Sequence, residues 1–258
     1  MNEKMSNQGG ERHSWKNAIV REVSRLPMVD KFLTKRAEWM LEAGQMEKYL
    51  KPKIKYRIKT EQGDTIASAD EGVTVVCVGA GKGHEMEQID AILPHTKVIG
   101  LDPNDFYTKS VKNRLGDLAH DASYLSEENR AENMIDVPDA SADGLVYNFV
   151  YHHVPEAQHE AMMHEADRVL KPDGNIFVAE DLVNDEEEHK KTVKQDRIMN
   201  LELSADNPHH YRNIDQWKEF FAKFGFRVAE IKEKESGPVK HGFFVLERIP
   251  KEKNESGK

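Results

Sequence analysis

The sequence predicts an α/β fold: a mostly parallel sheet covered by helices on both faces, with its last strand antiparallel. Three observations carry this. From Val73 onward, short apolar runs rich in β-branched residues alternate with segments of helical spacing. The first run, Val73–Val78, breaks into Gly79-Ala-Gly-Lys-Gly83 and then a helical segment from His84 to Leu93, the strand–turn–helix order of a nucleotide-type site. The last two runs, Phe226–Ile231 and Gly242–Leu246, have no helix between them. The segment 232–241 that joins them, with Gly237-Pro238 inside it, is too short for a comfortable parallel crossover.

The elements follow in order. Residues 1–13 are polar. Ser14 is placed as an N-cap before Trp15, Ile19, Val23 and Leu26, which recur at helical spacing. A second helical stretch carries Phe32, Leu33, Arg36, Ala37, Met40 and Leu41, weakens at Gly44 and resumes through Met46, Tyr49 and Leu50 before Pro52. These helices precede the first core strand, so residues 1–72 are expected to form an N-terminal helical extension or cap, with a short strand at Lys55–Lys59 and a turn at Gln62-Gly-Asp64. The main domain is expected over 73–248. Strand Lys97–Leu101 ends at Asp102, and a helix carrying Phe106, Val111, Leu115 and Leu118 follows. A third strand is expected near Tyr124-Leu125, a fourth at Gly144–Phe149, and a helix from Glu156 to Leu170. Lys171-Pro-Asp-Gly174 reads as a turn into strand Asn175–Glu180, and a charged helix covers Asp185–Met199. Asn213 caps a helix whose Trp217, Phe220, Phe221 and Phe224 share a face, and Gly225 ends it. The tail, 249–258, is charged and expected to be disordered.

Composition removes several classes of function. Lys and Arg number 37 against 46 Asp and Glu, a net charge of −9, which makes the chain a poor partner for phosphate backbones, so no nucleic-acid partner is expected. The basic stretch Lys51–Lys59 reads as a solvated face. No apolar run approaches the roughly 20 residues that span a bilayer, so no membrane span is expected. Residues 1–10 lack the apolar core of an export signal, and the single cysteine, Cys77, rules out an internal disulfide or a cysteine-rich zinc site; both favour a cytoplasmic protein.

Asp102, at the end of the second strand, can accept hydrogen bonds from both hydroxyls of a ribose; it can also cap the following helix, with Pro103 at its first position. The glycine spacing narrows the ligand. Gly79-x-Gly81-x-Gly83 is not the Gly-x-Gly-x-x-Gly of dinucleotide binders, and Gly81-Lys82 is followed by Gly83 rather than the Ser or Thr of a Walker A loop.

Val75-Val-Cys-Val-Gly-Ala-Gly-Lys-Gly83 followed by Val98-Ile-Gly-Leu-Asp102 resembles motifs I and II of the class I S-adenosylmethionine-dependent methyltransferases. Arg130–Asp143 is similar to the segment that packs on adenine, Gly144–Pro155 to strand 4 and its exit, Arg168–Glu180 to the approach to strand 5, and Tyr211–Phe226 to the late helix ending in Gly-Phe. The likeness covers roughly residues 70–248 and is greatest to the small-molecule branch that includes the ubiquinone and menaquinone methyltransferases. It implies a Rossmann-like seven-stranded sheet, S-adenosyl-L-methionine as cofactor, and methyl transfer to a small-molecule acceptor; a catalytically inactive binding protein of the same fold is the alternative. Carried over by position, Gly79, Ala80 and Gly81 would line the methionine and ribose, Asp102 would bind the ribose, and Leu101 and Pro103 would flank the adenine. Ala131 and Glu132 would meet the adenine edge, with Asp121-Ala122 as a competing segment. Asn148 and Phe149 would face the methionine and the transferred methyl. Cys77 stands where the family usually has an acid, and Arg130 where it usually has Asp.

Tyr151, His152 and His153 follow strand 4, at the sheet edge where open α/β folds bind ligands, so His152 or His153 is a candidate base; both can equally cap the next turn. His209, His210 and Tyr211 lie where they can cover a substrate. The aromatic helix and N-terminal helices suggest a lipophilic acceptor. Glu180 and Asp181 end strand 5, but Asn148 stands where a pairing acid would be needed, so no metal site is expected, and Asp185–Glu188 reads as a solvated helix N-terminus.

Overall fold

Val73-Thr-Val-Val-Cys-Val78 forms β1, buried on both faces as its β-branched composition requires. In the computed structural model, described over residues 41–61, 72–94, 96–103, 122–126, 130–199 and 209–250 with residues 28, 31, 34 and 35, β1 is joined by β2 (Thr96–Asp102), β3 (Ala122–Ser126), β4 (Ala142–Asn148), β5 (Leu170–Leu182), β6 (Phe226–Ser236) and β7 (Val239–Arg248). The seven strands run in the order β3-β2-β1-β4-β5-β7-β6. The pairs β1–β2, β1–β4, β2–β3 and β4–β5 are parallel, and β7 runs antiparallel to both β5 and β6. The order reverses between β1 and β4, and the loops after these strands leave from the same edge of the sheet.

Helices cover both faces. On one, α1 (Ala43–Glu61) and α2 (His84–Ile92) bury Met46, Leu50, Met86 and Ile89 against Val73, Val75, Val146, Phe177 and Val245. On the other, α3 (His159–Val169) and α5 (Ile214–Lys223) bury Met162, Met163, Trp217 and Phe221 against Val76, Leu145, Tyr147 and Phe244. A further helix, α4, spans Glu186–Met199. No described helix is long and apolar enough to cross a membrane.

Several sequence expectations shift. Lys55–Lys59 is helical, not a strand, because α1 runs through Pro52 to Glu61. Pro52 costs the helix one N–H, yet Lys, Arg and Glu propagate helices well, and the docking of Met46 and Leu50 anchors the preceding turns. Lys171–Gly174 is not a separate turn: Ala142 pairs with Leu170 and Gly144 with Asn175, so these four residues bulge from β5 opposite Asp143. The buried Asp143 carboxylate closes the bulge by accepting from Thr74 N at 2.9 Å and Lys171 Nζ at 2.8 Å. β6 and β7 extend well past their apolar cores and meet at Gly237-Pro238, with Gly237 at φ 61°. β6 is the sheet's edge strand and its end is largely exposed, so Lys232–Ser236 shows no apolar alternation in the sequence. The helices expected around Trp15–Leu26 and Phe106–Leu118, Asp121, and the tail beyond Pro250 lie outside the described residues.

Candidate active site

The glycine turn is shaped by its backbone. Gly79, Gly81 and Gly83 all have positive φ, at 70°, 50° and 79°. At Gly79 a Cβ would also fall 2.8 Å from Val150 Cγ2, so the loops after β1 and β4 touch only because the side chain is missing. Two hydrogen bonds tie the turn to β2: Ala80 N donates to Leu101 O at 2.9 Å, and Gly81 N donates to Asp102 Oδ2 at 2.9 Å. A cavity of about 360 Å³ opens beside this turn.

That cavity brings together most of the residues singled out by the sequence. Gly79, Leu101, Asp102, Pro103, Ala131, Glu132 and Phe149 all line it. Ala131 and Glu132 arrive on a tight turn closed by reciprocal backbone bonds between Arg130 and Asn133, and Met134 N is held by Glu165 Oε2 at 2.8 Å. Ala80 is buried behind the wall. Asn148 ends β4 next to Phe149, with its Nδ2 buried and lacking a hydrogen-bond partner. Arg130, Val150, Val154, Pro155 and Gln158 also line the cavity. Sequence position alone did not single out the last four; they follow from the chain's reversal after β4. Ala122 begins β3.

The histidine pair divides. Phe149 takes the left-handed conformation, φ 57°, while its N–H donates to Ala179 O at 2.8 Å. The chain then coils through a 3-10 turn, Tyr151–His153, which sends His152 inward and His153 to the cavity wall. His152 is fully buried. Its Nδ1 donates to Glu180 Oε2 at 2.6 Å, and Glu180 Oε1 accepts from Tyr151 N at 2.7 Å. Burial opposes the imidazolium, but the Glu180 charge and then Asp196 outweigh it and push His152 up to about 10. A histidine that already holds its proton at neutral pH does not serve as a base, so His152 suits a positioning role and His153, 32 % exposed in its side chain, is the one that meets the cavity.

Behind the pair lies Asp196 of α4, 6 % exposed, which no local motif flagged. Burial would raise its carboxyl, yet His152, His153 and His209 hold it below the usual range. His209 Nδ1 is 3.4 Å from Asp196 Oδ2, His210 N donates to His152 O at 3.2 Å, and the Tyr211 ring lies 5.1 Å from that of His152. The segment expected to cover a substrate therefore closes on the histidine pair. Glu180 and Asp181 belong to the interior and not to the acidic run: Asp181 Oδ1 is 2.5 Å from His241 Nδ1, whereas Asp185 Oδ1 accepts from Glu187 N and Glu188 N at the exposed start of α4. Of the aromatic helix, Trp217 and Phe221 are fully buried in the core, while Phe220 and Phe224 are partly buried and line a separate pocket with His159, Tyr211 and Arg212.

Residues 76–178 match the family described as a methyltransferase domain. The chain carries a class I S-adenosylmethionine-dependent methyltransferase domain. An uncharacterized methyltransferase of Bacillus pumilus is 22% identical over 161 residues, which is 61% of this chain and 71% of that relative. Among solved structures, the Burkholderia thailandensis 1,6-didemethyltoxoflavin-N1-methyltransferase superposes with a TM-score of 0.56 at 12% identity, covering 92% of this chain and 90% of that one. The mitomycin 7-O-methyltransferase MmcR gives a TM-score of 0.57 at 18% identity over 87% of this chain, which spans 58% of MmcR. At these identities the solved structures speak for the fold.

S-adenosylmethionine is the methyltransferase's cofactor, and the donor set suits it. The wall carries the Asp102 carboxylate, and Asn148, whose buried amide nitrogen lacks a partner, directly precedes the lining residue Phe149. Cys77 does not replace the usual acid. It is 2 % exposed inside the apolar cluster under α2, and burial, with a smaller contribution from Glu85, pushes its thiol up, so it stays neutral.

Proposed function

We propose that residues 73–248 are the catalytic unit and transfer the methyl group to a small organic acceptor. S-adenosylmethionine supplies a methyl group on a sulfonium that is already a good leaving group, so the protein's task is to align the acceptor and exclude water. Asp102 binds the ribose hydroxyls while fastening Gly81. Leu101 and Pro103 flank the adenine, Ala131 and Glu132 meet its edge, and Gly79 with Ala80 borders the methionine. Asn148 and Phe149 face the methionine and the methyl, and His153 stands at that same end.

The observation that carries this reading is the single cavity shared by Asp102, Glu132, Phe149 and His153, which spans from the ribose end to the transfer end. The net charge of −9 disfavours nucleic acid as acceptor, and the printed names of MmcR and the toxoflavin enzyme describe transfer to small molecules. The neutral Cys77 at the usual acid's position favours a second reading, a protein that binds the cofactor without transferring from it.

The test is titration calorimetry with S-adenosylmethionine and S-adenosylhomocysteine, followed by mass spectrometry over a panel of phenols, amines, carbon acids and quinones. Cofactor uptake with a methylated product supports transfer. Uptake with no product on any acceptor favours the second reading, and binding of NAD in place of S-adenosylmethionine sinks both.

A further inference from the structure

We propose that the buried cluster behind the transfer end is a divalent transition-metal site, with His152, His153 and Asp196 as ligands and His209 packed beside Asp196. Three separate elements converge there: the turn after β4, the helix α4 and the segment leading into α5. The ligand atoms of His152, His153 and Asp196 lie within 4.8 Å of one another. His152 Nε2 is 3.5 Å from Asp196 Oδ1, His153 Nε2 is 3.8 Å from Oδ2, and His209 Nδ1 is 3.4 Å from Oδ2. A charge-assisted hydrogen bond in so buried a place closes to about 2.7–2.9 Å, and these contacts do not. Two ligands each about 2.1 Å from one ion at the tetrahedral angle stand about 3.4 Å apart. The spacing is therefore closer to that of groups sharing a cation than to that of donors on an acceptor.

The orientation of His152 is a second, independent observation. Its Nδ1 is committed to Glu180 Oε2 at 2.6 Å, and an ionised carboxylate can only accept, so Nδ1 carries the proton. That bond fixes the ring and turns Nε2 toward Asp196, where it is buried and makes no hydrogen bond; the proton that Nε2 carries in the metal-free imidazolium is released when an ion binds. A carboxylate that holds the far nitrogen of an imidazole is the arrangement that orients histidine ligands on metals. Imidazole nitrogens with one carboxylate oxygen suit zinc, iron(II), cobalt(II) or nickel(II) and not magnesium or calcium, which take oxygen ligands. This proposal replaces the sequence expectation of no metal, which weighed only the strand-end carboxylates; Asp196 and His209 reach the cluster through the fold. His153 lines both the cluster and the cavity, so a bound ion lies at the cavity wall and fixes the turn that carries Phe149.

The experiment uses full-length protein purified without a histidine tag, reconstituted in turn with zinc, cobalt(II) and iron(II), cleared of loose ions by gel filtration and analysed by plasma mass spectrometry. Retention of close to one ion per chain supports the site, as does a thermal midpoint that falls on chelation and recovers when the ion returns. Asp196→Ala should lose the ion, and Glu180→Gln should weaken its binding about 10–100-fold. Where a variant fails to fold, the chelation series on the unaltered chain decides. No stoichiometric ion, together with a midpoint indifferent to chelator, overturns the proposal. Calorimetry with S-adenosylmethionine on the same samples separates the two readings: cofactor uptake without any ion overturns the metal site alone, and a retained ion without cofactor uptake supports the metal site while counting against transfer.

Discussion

Asp102 and Glu180 stand at the C-terminal ends of β2 and β5, and each accepts a hydrogen bond from a backbone N–H in the loop of the neighbouring strand. Asp102 Oδ2 takes Gly81 N at 2.9 Å from the loop after β1, and Glu180 Oε1 takes Tyr151 N at 2.7 Å from the loop after β4. The two part company in exposure. Asp102 is 9 % exposed and borders the cavity, while Glu180 has no exposure and spends its other oxygen on His152. The same device thus serves two ends. At the proposed ribose end the carboxylate shapes a loop at the cavity wall; at the proposed transfer end it is consumed inside the protein to hold a histidine. Replacing Asp102 should show in binding, and replacing Glu180 in stability.

The largest effect is expected at Glu180. Glu180→Ala leaves a buried imidazolium and a buried N–H without their acceptor, a class of loss that costs about 3–5 kcal/mol, read as a lower denaturant midpoint at unchanged slope. Glu180→Gln should lose less, because its amide oxygen can still accept from Tyr151 N. A loss for Glu180→Ala of under about 1 kcal/mol, the worth of an ordinary hydrogen bond, would break the contrast. Next comes Gly79, where the two ends touch. Gly79→Ala meets Val150 Cγ2 at 2.8 Å and keeps φ at 70°, so it should cost about 1–3 kcal/mol and also reduce cofactor affinity, since Val150 lines the cavity. Gly81→Ala is the control: its φ is also positive, but the nearest atom to its Cβ is 4.0 Å away, so its loss should be the smaller. Equal losses at both positions would mean that the close approach between the loops contributes nothing.

The two ends also differed in how far the sequence revealed them. The ribose end is written in short stretches. Val73–Val78 needs only its composition to be a buried strand, the glycine spacing is a backbone requirement, and Asp102 follows at the end of the next strand. The transfer end depends on pairings that no local pattern encodes. Glu180 and His152 are 28 residues apart, and Asp196 and His209 come from opposite sides of residues 200–208. Glu180 and Asp181 look alike as neighbours, yet the strand's alternation sends one to His152 and the other to His241, its partner in register on β7. The misread segments fail for a related reason. Charged Lys55–Lys59 and Lys232–Ser236 carry too little apolar pattern to tell helix from strand or loop, so neighbouring packing and pairing decided them.

The smallest effect, and the sharpest for the contrast, is expected at Asp102. Asp102→Ala should weaken S-adenosylmethionine binding by about 1–3 kcal/mol, the scale of hydrogen bonds lost in a buried site, while its unfolding midpoint moves less than that of Glu180→Ala. The two readouts answer different questions. Calorimetry reports whether the carboxylate reaches a ligand; unfolding reports its internal bonds, the one to Gly81 among them. If Asp102→Ala left affinity unchanged but lost as much stability as Glu180→Ala, Asp102 would be an internal strut like Glu180, and the ribose would have to be held by another group on the cavity wall. Glu132 would then be the first candidate, because among the described residues it is the other carboxylate lining the cavity.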